Sequence, residues 1–383
     1  MRERTTGYAG FLDMEDLVRP SDSDTLTKGR EAPFQHALER FVDSINSEAR
    51  LSPSGVAAVR SRIKSSLAMQ RRVSALRPPS SPALDAPVFI TGMPGTGAAL
   101  LHNLLAEHPG VDAPAMWELA DPASGAETPG ERRALIARGR AHAVAGGRTT
   151  AGRAVGLLRQ ATRPGSCQWL LANTFHSPAL SMAHHVPSYS SWMEGQDMVP
   201  AYGFHRLQLQ AVCNRVSGGA LVLRDPFHAP YLSDLVRVYP RARIIRMHRD
   251  PADVLASTAG IAWSQRIADS AGVVDPTEVG AEWADWLERH FADAEASRTR
   301  IGEDRILDIR HADLVGDPVA TLRRATAFVG VPTTPVVEQN MVALAREAAM
   351  SAQSAWHFEP EEFGLSRREL GQRFAEYRRT YGA

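Results

Sequence analysis

A short apolar run followed by a glycine-rich turn is the feature that most constrains the fold of this chain. Residues 88–91 are apolar enough for a buried strand, and a helical pattern begins at Ala98. Between them, Gly92 and Gly97 have the spacing of a phosphate-binding loop, in which backbone N–H groups surround an anion at a helix N-terminus. The order of strand, turn and helix predicts an anion site at the turn. A turn that only lets the strand pack against the helix is the alternative interpretation.

Three more apolar runs, 220–223, 244–247 and 306–309, have the length and composition of buried strands. Long helical patterns separate these runs from one another. Strands that alternate with helices build βαβ units, which bury a parallel sheet between layers of helices. The sequence therefore predicts an α/β fold with three layers around a central parallel sheet.

The N-terminal region contains no comparable strand candidate. Apolar residues recur at helical spacing over 34–48 and 54–76, and a run rich in proline and serine follows at 76–82. We predict a helical N-terminal layer with its linker over 1–82, and an α/β domain over 83–383.

The balance of charge argues against a nucleic-acid partner, because 43 Lys and Arg residues are matched by 43 Asp and Glu residues. No apolar run is long enough for a transmembrane helix, and the polar N-terminus is not typical of a signal peptide. Cys167 and Cys213 are too few for a disulfide framework and suit a reducing compartment. We therefore expect a cytoplasmic protein that binds neither membrane nor nucleic acid. The pattern predicts no particular oligomeric state.

The residues that follow the glycine turn disfavour a nucleotide triphosphatase. Such an enzyme continues with a lysine for the phosphates and a serine or threonine for Mg²⁺, whereas this chain continues with Ala98 and Ala99. Lys28 and Lys64 are the only lysines, so cationic chemistry in the α/β domain falls to arginine and histidine. No cluster has the spacing of metal ligands, and we expect a site that works without a metal.

An ordered series of motifs begins with residues 87–105 and continues almost to the C-terminus. Its later members are 113–119, 185–189, 200–205, 223–228, 239–243, 248–254, 308–314 and 363–365. This series resembles the bacterial branch of the sulfotransferases that use 3′-phosphoadenosine-5′-phosphosulfate (PAPS). The resemblance implies a P-loop-like fold, PAPS as co-substrate, no metal, and a small-molecule acceptor in a specialised bacterial pathway.

The resemblance also implies where the donor would bind. Arg249 and Ser257 occupy the positions of the family's 3′-phosphate site, where a guanidinium and a hydroxyl converge on one anion. The alternative is a surface turn at Arg249 with a solvated serine. The 5′-phosphosulfate would meet the loop residues Pro94, Gly95, Thr96, Gly97, Ala98 and Ala99.

Two residues after the second predicted strand are the catalytic candidates that the resemblance implies. A histidine near His228 can serve as general base in this family, and its pKa range suits that task. Arg224 keeps a positive charge where relatives carry a lysine. His102, His185 and His248 are interpreted as packing or supporting residues.

Several residues depart from the family pattern. Gly95 replaces an arginine of the loop, and Ala98 and Ala99 replace threonines. Asp225 replaces a serine and adds a negative charge that could pair with Arg224. Each lost charge-assisted contact is worth about 1.5–3 kcal/mol.

Two further departures concern possible bases and cations. Residues 166–168 replace an acidic cluster, and Cys167 there is either a core residue or a new nucleophile. Residues 351–360 lack a basic segment and keep only His357. Two hypotheses stay open: a working sulfotransferase, or a reused fold with an eroded donor site that performs another reaction or serves as a non-catalytic partner. Aromatic residues that could line an acceptor pocket or fill the core are Tyr189, Trp192, Tyr202, Phe204 and Trp263.

Overall fold

The computed structural model centres on a five-stranded parallel sheet with the strand order β2-β3-β1-β4-β5. The structure describes residues 11–18, 32–78, 80–125, 128, 130–137, 161–213, 219–353 and 358–382. The strands are β1 Val88–Thr91, β2 Val111–Asp112, β3 Ala220–Arg224, β4 Arg243–His248 and β5 Ile306–Arg310.

Helices cover both faces of this sheet. Those before β3 include Met14–Leu17, Ala32–Glu48, Pro53–Ala75, Ala98–Leu105, Met116–Ala120, Gln168–Leu171, Pro178–Ala183, Pro187–Glu194 and Val199–Cys213. Those after β3 are Leu232–Val238, Pro251–Asp269, Pro276–Ile301, His311–Gly316, Pro318–Val329, Pro335–Gln353, Arg367–Arg373 and Ala375–Tyr381.

Alternation along β1 explains the three layers. All four residues of this strand are buried, and successive side chains point to opposite faces of the sheet. Phe89 packs into the core that contains the N-terminal helices, whereas Val88 and Ile90 pack into the core on the other face. The predicted α/β class with a central parallel sheet is confirmed.

The N-terminal helices share the core of the α/β domain. Phe41 and Val59 belong to the same buried cluster as Phe89 and Ile244. The boundary at residues 82 and 83 stays a prediction, and no separate core lies on its N-terminal side among the described residues. Among all the residues that the structure describes, no helix is both long enough and apolar enough to cross a bilayer.

Four of the five strands were predicted to within one or two residues. The short strand β2 was missed because two residues are too few to show any periodicity. Because β1, β3, β4 and β5 are parallel, their carboxyl ends meet at one edge of the sheet, where ligands of open α/β sheets bind. That edge carries the glycine turn, Arg224 and Arg249.

Candidate active site

The turn after β1 has the backbone of an anion-binding loop. Gly95 and Gly97 have φ values of 89° and 86°, in the left-handed region that favours glycine. Thr96 closes the turn, because its backbone N–H and its hydroxyl donate to the Met93 carbonyl at 3.1 and 2.7 Å. The side chain of Thr96 is therefore committed to the shape of the loop.

The helix that follows the turn begins with backbone N–H groups that have no intrahelical acceptor. Its first backbone bond runs from the N–H of Leu101 to the carbonyl of Gly97 at 2.9 Å, which leaves the N–H groups of Ala98, Ala99 and Leu100 without an intrahelical acceptor. Ala99 is exposed at the edge of an open cleft. The helix N-terminus adds positive potential at the same point.

Arg249 and Ser257 lie against the loop, as the predicted shared site requires. Arg249 follows β4 and donates from Nη1 to the Gly95 carbonyl at 2.8 Å. Ser257 lies on the helix that Asp250 caps, and its Oγ would be only 2.5 Å from a Cβ added to Gly95. The structure thus brings the two predicted 3′-phosphate residues onto the phosphate loop.

Arg367 is a further cation in this neighbourhood that the sequence analysis missed. Its Nη1 donates to Asp253 at 2.8 Å, and Asp253 in turn accepts from Arg249 Nε at 3.0 Å. Burial would raise the pKa of Asp253, but the hydrogen bond from Arg367 and the charge of Arg249 hold that pKa below its ordinary value. Arg367 follows the 363–365 motif by two residues, and that proximity was the signal available in the sequence. The sequence analysis considered only residues 351–360 for the family's basic segment. Of these residues, 354–357, including His357, lie outside the described part of the chain.

A cleft of about 370 Å³ opens at the end of β3, beside the helix Ala98–Leu105 that follows the loop. Arg62, Arg163 and Arg224 line it, and Ala99 is at its edge. Arg62 is paired with Asp269 and Arg163 with Glu107, so Arg224 is the lining arginine without a described carboxylate partner. None of the described residues that line it is acidic, and none is a histidine, lysine or cysteine. Its apolar wall consists of Met116, Trp169, Ala172, Ala179, Leu180, Met182 and Ala183.

Arg224 is the most deeply placed cation of the cleft. Its Nε is buried and has no hydrogen-bond partner among the described residues. Burial lowers the pKa of Arg224, although the negative charge of Asp225 opposes that shift. Asp225 turns its oxygens elsewhere: Oδ2 accepts from Ser166 Oγ at 2.8 Å and Oδ1 accepts from the Phe227 N–H at 2.9 Å.

His228 is a buried core residue and does not line the described cleft. The side chain is fully buried, it packs edge-on against Phe89, and it is not part of the described cleft lining. Its Nδ1 is hydrogen-bonded to the Tyr202 hydroxyl at 2.9 Å. Burial and the charge of Arg224 lower the pKa of His228 to about 3. This position disfavours His228 as the general base for an acceptor bound in the cleft, and that role stays a prediction.

The three other histidines named in the sequence analysis each have a hydrogen-bond partner within the protein. His102 is buried beside β3, with Nε2 hydrogen-bonded to the Val222 carbonyl at 3.1 Å. His185 is paired with Glu282 at 3.2 Å, and His248 is hydrogen-bonded to Asp308 at 2.8 Å.

Cys167 and the predicted aromatic residues belong to the core side of the site. Burial raises the pKa of the Cys167 thiol, which opposes a role as nucleophile. Tyr189, Tyr202 and Phe204 are buried, whereas the cleft is lined by Trp169, which the sequence analysis had not singled out. No group of side chains suited to a metal ion occurs in the described part of the chain.

Comparisons with known proteins find related sequences and related folds. A model of the Sulfotransferase family matches residues 87–335. The chain is 25% identical over 167 residues to the omega-hydroxy-beta-dihydromenaquinone-9 sulfotransferase Stf3 of Mycobacterium bovis, a match that spans 40% of this chain and 42% of that relative. The Stf3 of Mycobacterium tuberculosis matches to the same extent.

Two solved structures share the fold over nearly the whole chain. Sulfotransferase STF1 from Mycobacterium tuberculosis H37Rv superposes with a TM-score of 0.71 and 24% identity, covering 94% of this chain and 100% of its own. Sulfotransferase STF9 from Mycobacterium avium superposes with a TM-score of 0.75 and 21% identity, covering 97% and 98%.

Proposed function

The chain belongs to the sulfotransferase family, and from that premise we propose that it moves a sulfuryl group from PAPS to a hydroxyl or amine of a small molecule. The observation that carries this proposal is the meeting of Arg249, Ser257 and the loop at Gly95. PAPS carries a 3′-phosphate and a 5′-phosphosulfate, and this site offers two groups of donors, the backbone N–H groups after the loop and the side chains of Arg249 and Ser257. The reducing environment that two free thiols suit supports a cytoplasmic location.

The two ends of the donor would meet different groups. The N–H groups of Ala98 and Ala99 would hold the 5′-phosphosulfate, with Pro94 to Gly97 shaping the loop. Arg249, Ser257 and Arg367 would hold the 3′-phosphate. In this assignment backbone donors alone serve the end from which the loop's arginine and threonines are lost, and Arg367 takes the place of the basic segment that residues 351–360 lack.

Arg224 would act on the group in transfer. It is a guanidinium at the end of β3, on the cleft side of the loop, with a buried donor that has no described partner. Sulfuryl transfer places negative charge on the leaving phosphate oxygen, and a fixed donor in a water-poor site stabilises that charge. His228 would hold the surrounding core through Tyr202 instead of accepting a proton.

The cleft supports a bulky, apolar acceptor. Its wall is apolar along Trp169 and the segment 179–183, whereas arginines mark its inner end and rim. The relative Stf3 is named for an acceptor of this kind, a hydroxylated dihydromenaquinone. In this proposal, the acceptor of this chain is selected by how well its apolar part fits the cleft of about 370 Å³.

Calorimetric titration with 3′,5′-adenosine bisphosphate tests the donor assignment. We expect heat of binding with the wild type and affinity about 10-fold to 100-fold weaker in Arg249→Ala and in Arg367→Ala, because each removes a charge-assisted contact of about 1.5–3 kcal/mol. Arg237→Ala is the matched control, since Arg237 is an exposed arginine paired only with Asp197 and Asp234.

A reused fold with an eroded donor site is the second candidate, and one observation favours it. Arg249 already binds the Gly95 carbonyl and Asp253, so part of its hydrogen-bonding capacity is taken. The absence of heat with the wild type, or equal affinity in the wild type and Arg249→Ala, would select this candidate.

A further inference from the structure

A buried carboxylate lies one hydroxyl away from the cleft. Ser166 lines the cleft beside Arg224, and its Oγ donates to Asp225 Oδ2 at 2.8 Å. Both side chains are buried, with Asp225 fully so. The cleft wall, as far as the structure describes it, contains no carboxylate, imidazole or amine of its own. Among the described residues, the Ser166 hydroxyl therefore links the cleft to a group that can accept a proton, the Asp225 carboxylate.

The backbone holds this pair in a fixed position. Asp225 directly follows β3 and its N–H donates to the Ile90 carbonyl at 3.1 Å, which extends the ladder to β1. The N–H of Cys167 donates to the Arg224 carbonyl at 2.8 Å, which ties the Ser166 segment to the same strand end. The second oxygen of Asp225 accepts from the Phe227 N–H, so the oxygen that faces Ser166 is defined. Such rigid placement is what proton transfer in a site requires.

The electrostatics of Asp225 suit a proton acceptor. Burial raises the pKa of this carboxyl, while the hydrogen bonds from Phe227 and Ser166 and the charge of Arg224 limit that rise. A carboxyl with a raised pKa binds a proton more readily near neutral pH than an ordinary aspartate does.

We propose that Ser166 and Asp225 form the proton relay of the transfer reaction, with Ser166 touching the acceptor and Asp225 acting through it. This proposal rests on the proposed sulfotransferase function. The acceptor O–H bond breaks and its proton passes to Ser166 Oγ, while the Ser166 proton passes to Asp225 Oδ2. The acceptor oxygen bonds to sulfur, and the bond from sulfur to the 5′-phosphate oxygen breaks, with its electron pair left on the phosphate. The products are a sulfate ester, 3′,5′-adenosine bisphosphate and a protonated Asp225.

The relay defines the acceptor class more closely. A hydroxyl that is protonated in solution needs a proton acceptor, whereas a phenol that ionises on its own does not. We therefore assign the site to acceptors with an un-ionised hydroxyl, attached to the apolar body that the cleft wall fits.

Two acceptors separate the relay from a structural role. With PAPS at pH 8, phenol, whose pKa is about 10, is un-ionised and 4-nitrophenol is largely ionised. We expect Ser166→Ala and Asp225→Asn to lower kcat with phenol about 100-fold, the lower end for general-base catalysis, and with 4-nitrophenol by less than about threefold. Ser166→Thr keeps the hydroxyl and should restore most of the phenol activity. Ser181→Ala is the matched control, because Ser181 is a buried serine outside the described cleft lining.

Equal losses with both acceptors would overturn the relay and leave the proposed function standing. If neither phenol is used, release of sulfate from PAPS into water provides the same readout, since water is an un-ionised acceptor. No decrease of that release in Ser166→Ala also overturns the relay. A wild type that neither transfers nor binds 3′,5′-adenosine bisphosphate overturns both the function and the relay. Each variant should bind 3′,5′-adenosine bisphosphate within about twofold of the wild type, which shows that it is folded. If Asp225→Asn does not fold, the result with Ser166→Ala decides.

Discussion

Two arginines on either side of β1 meet opposite surroundings. Arg249, after β4, donates to the Gly95 carbonyl and is paired with Asp253. Arg224, at the end of β3, has a buried Nε without a described partner. A paired arginine shapes the protein around it, whereas a buried cation with unmet donors is costly until an anion arrives. On the loop side, Arg249 therefore mainly fixes the position of neighbouring groups. On the cleft side, Arg224 mainly supplies positive charge for a ligand.

Replacing Arg224 should have the largest effect on activity and little effect on stability. Arg224→Met removes the guanidinium but keeps an apolar stem, and we expect kcat to fall about 10²-fold to 10³-fold, as when one preorganised donor is lost. The free energy of unfolding should change little, because the buried Nε has no described partner to lose, while the gain from removing a buried cation is offset by the loss of a positive charge near Asp225. Steady-state kinetics and urea unfolding measure the two quantities.

The matched variant Arg249→Met sharpens the contrast between the two sides. It leaves the Gly95 carbonyl without its partner and Asp253 with Arg367 alone, so its free energy of unfolding should fall where that of Arg224→Met does not. If both variants lose stability equally, the distinction between a positional and a charge-bearing side is wrong.

Gly95→Ala should disturb the loop side through the backbone. The residue has a φ of 89°, and its new Cβ would approach Ser257 Oγ to 2.5 Å. We expect the free energy of unfolding to fall by about 1–2 kcal/mol, the cost of a left-handed backbone for an L-residue, with weaker binding of adenosine bisphosphate. Urea unfolding and calorimetry are the measurements.

Two controls separate the causes of this effect. Gly272→Ala places a Cβ where no atom lies within 4 Å, and stability there should not fall in the same way. Adding Ser257→Gly to Gly95→Ala removes the steric contact but not the backbone cost. Full recovery in the double variant would show that φ at Gly95 does not matter.

The smallest expected effect is a pH dependence of the free energy of unfolding, to which Asp308 on β5 contributes. Although burial alone would raise the pKa of Asp308, hydrogen bonds from His248 and Arg298 lower that pKa to about 2. A carboxyl with a lowered folded-state pKa stabilises the fold above its unfolded pKa of about 4, and this contribution is lost as the pH falls towards 2. The network holds His248, from which the chain continues to Arg249.

Asp308→Asn should remove this acid-sensitive contribution. Between pH 6 and pH 2.5 the wild type should lose about 1 kcal/mol more stability than the variant, a modest figure because the carboxyl is partly exposed to solvent screening. Asp43→Asn, at an exposed helical position, is the control and should follow the wild type. Parallel pH profiles for Asp308→Asn and the wild type would contradict the assignment.

The sequence predicted those parts of the site that belong to strand ends. Buried strands are continuous apolar runs, and parallel pairing brings their carboxyl ends together, so Arg224, Arg249 and the Gly92–Gly97 turn could be located before any coordinates. Ser257 was named from the resemblance to the family, and the helix that Pro251 opens brings its side chain to Gly95.

Residues whose role depends on side-chain direction were not predictable in this way. His228 is only four residues beyond Arg224, yet it turns into the core to meet Tyr202. Ser166 and Asp225 were noted as departures from a pattern, but their hydrogen bond joins two segments whose approach only packing determines. Arg367 comes from a C-terminal helix whose docking onto Asp253 has no periodic signal in the sequence.

The hydrogen bonds that define the site also determine when it can form. Ser166 and Asp225 are 59 positions apart along the chain, and Arg249 and Gly95 are 154 apart. Because β1 is inserted between β3 and β4, both contacts await the closure of long loops, the slow step for parallel sheets. During refolding, helical signal should therefore return well before catalytic competence, and a nascent chain gains its chemistry only after β4 has emerged and paired.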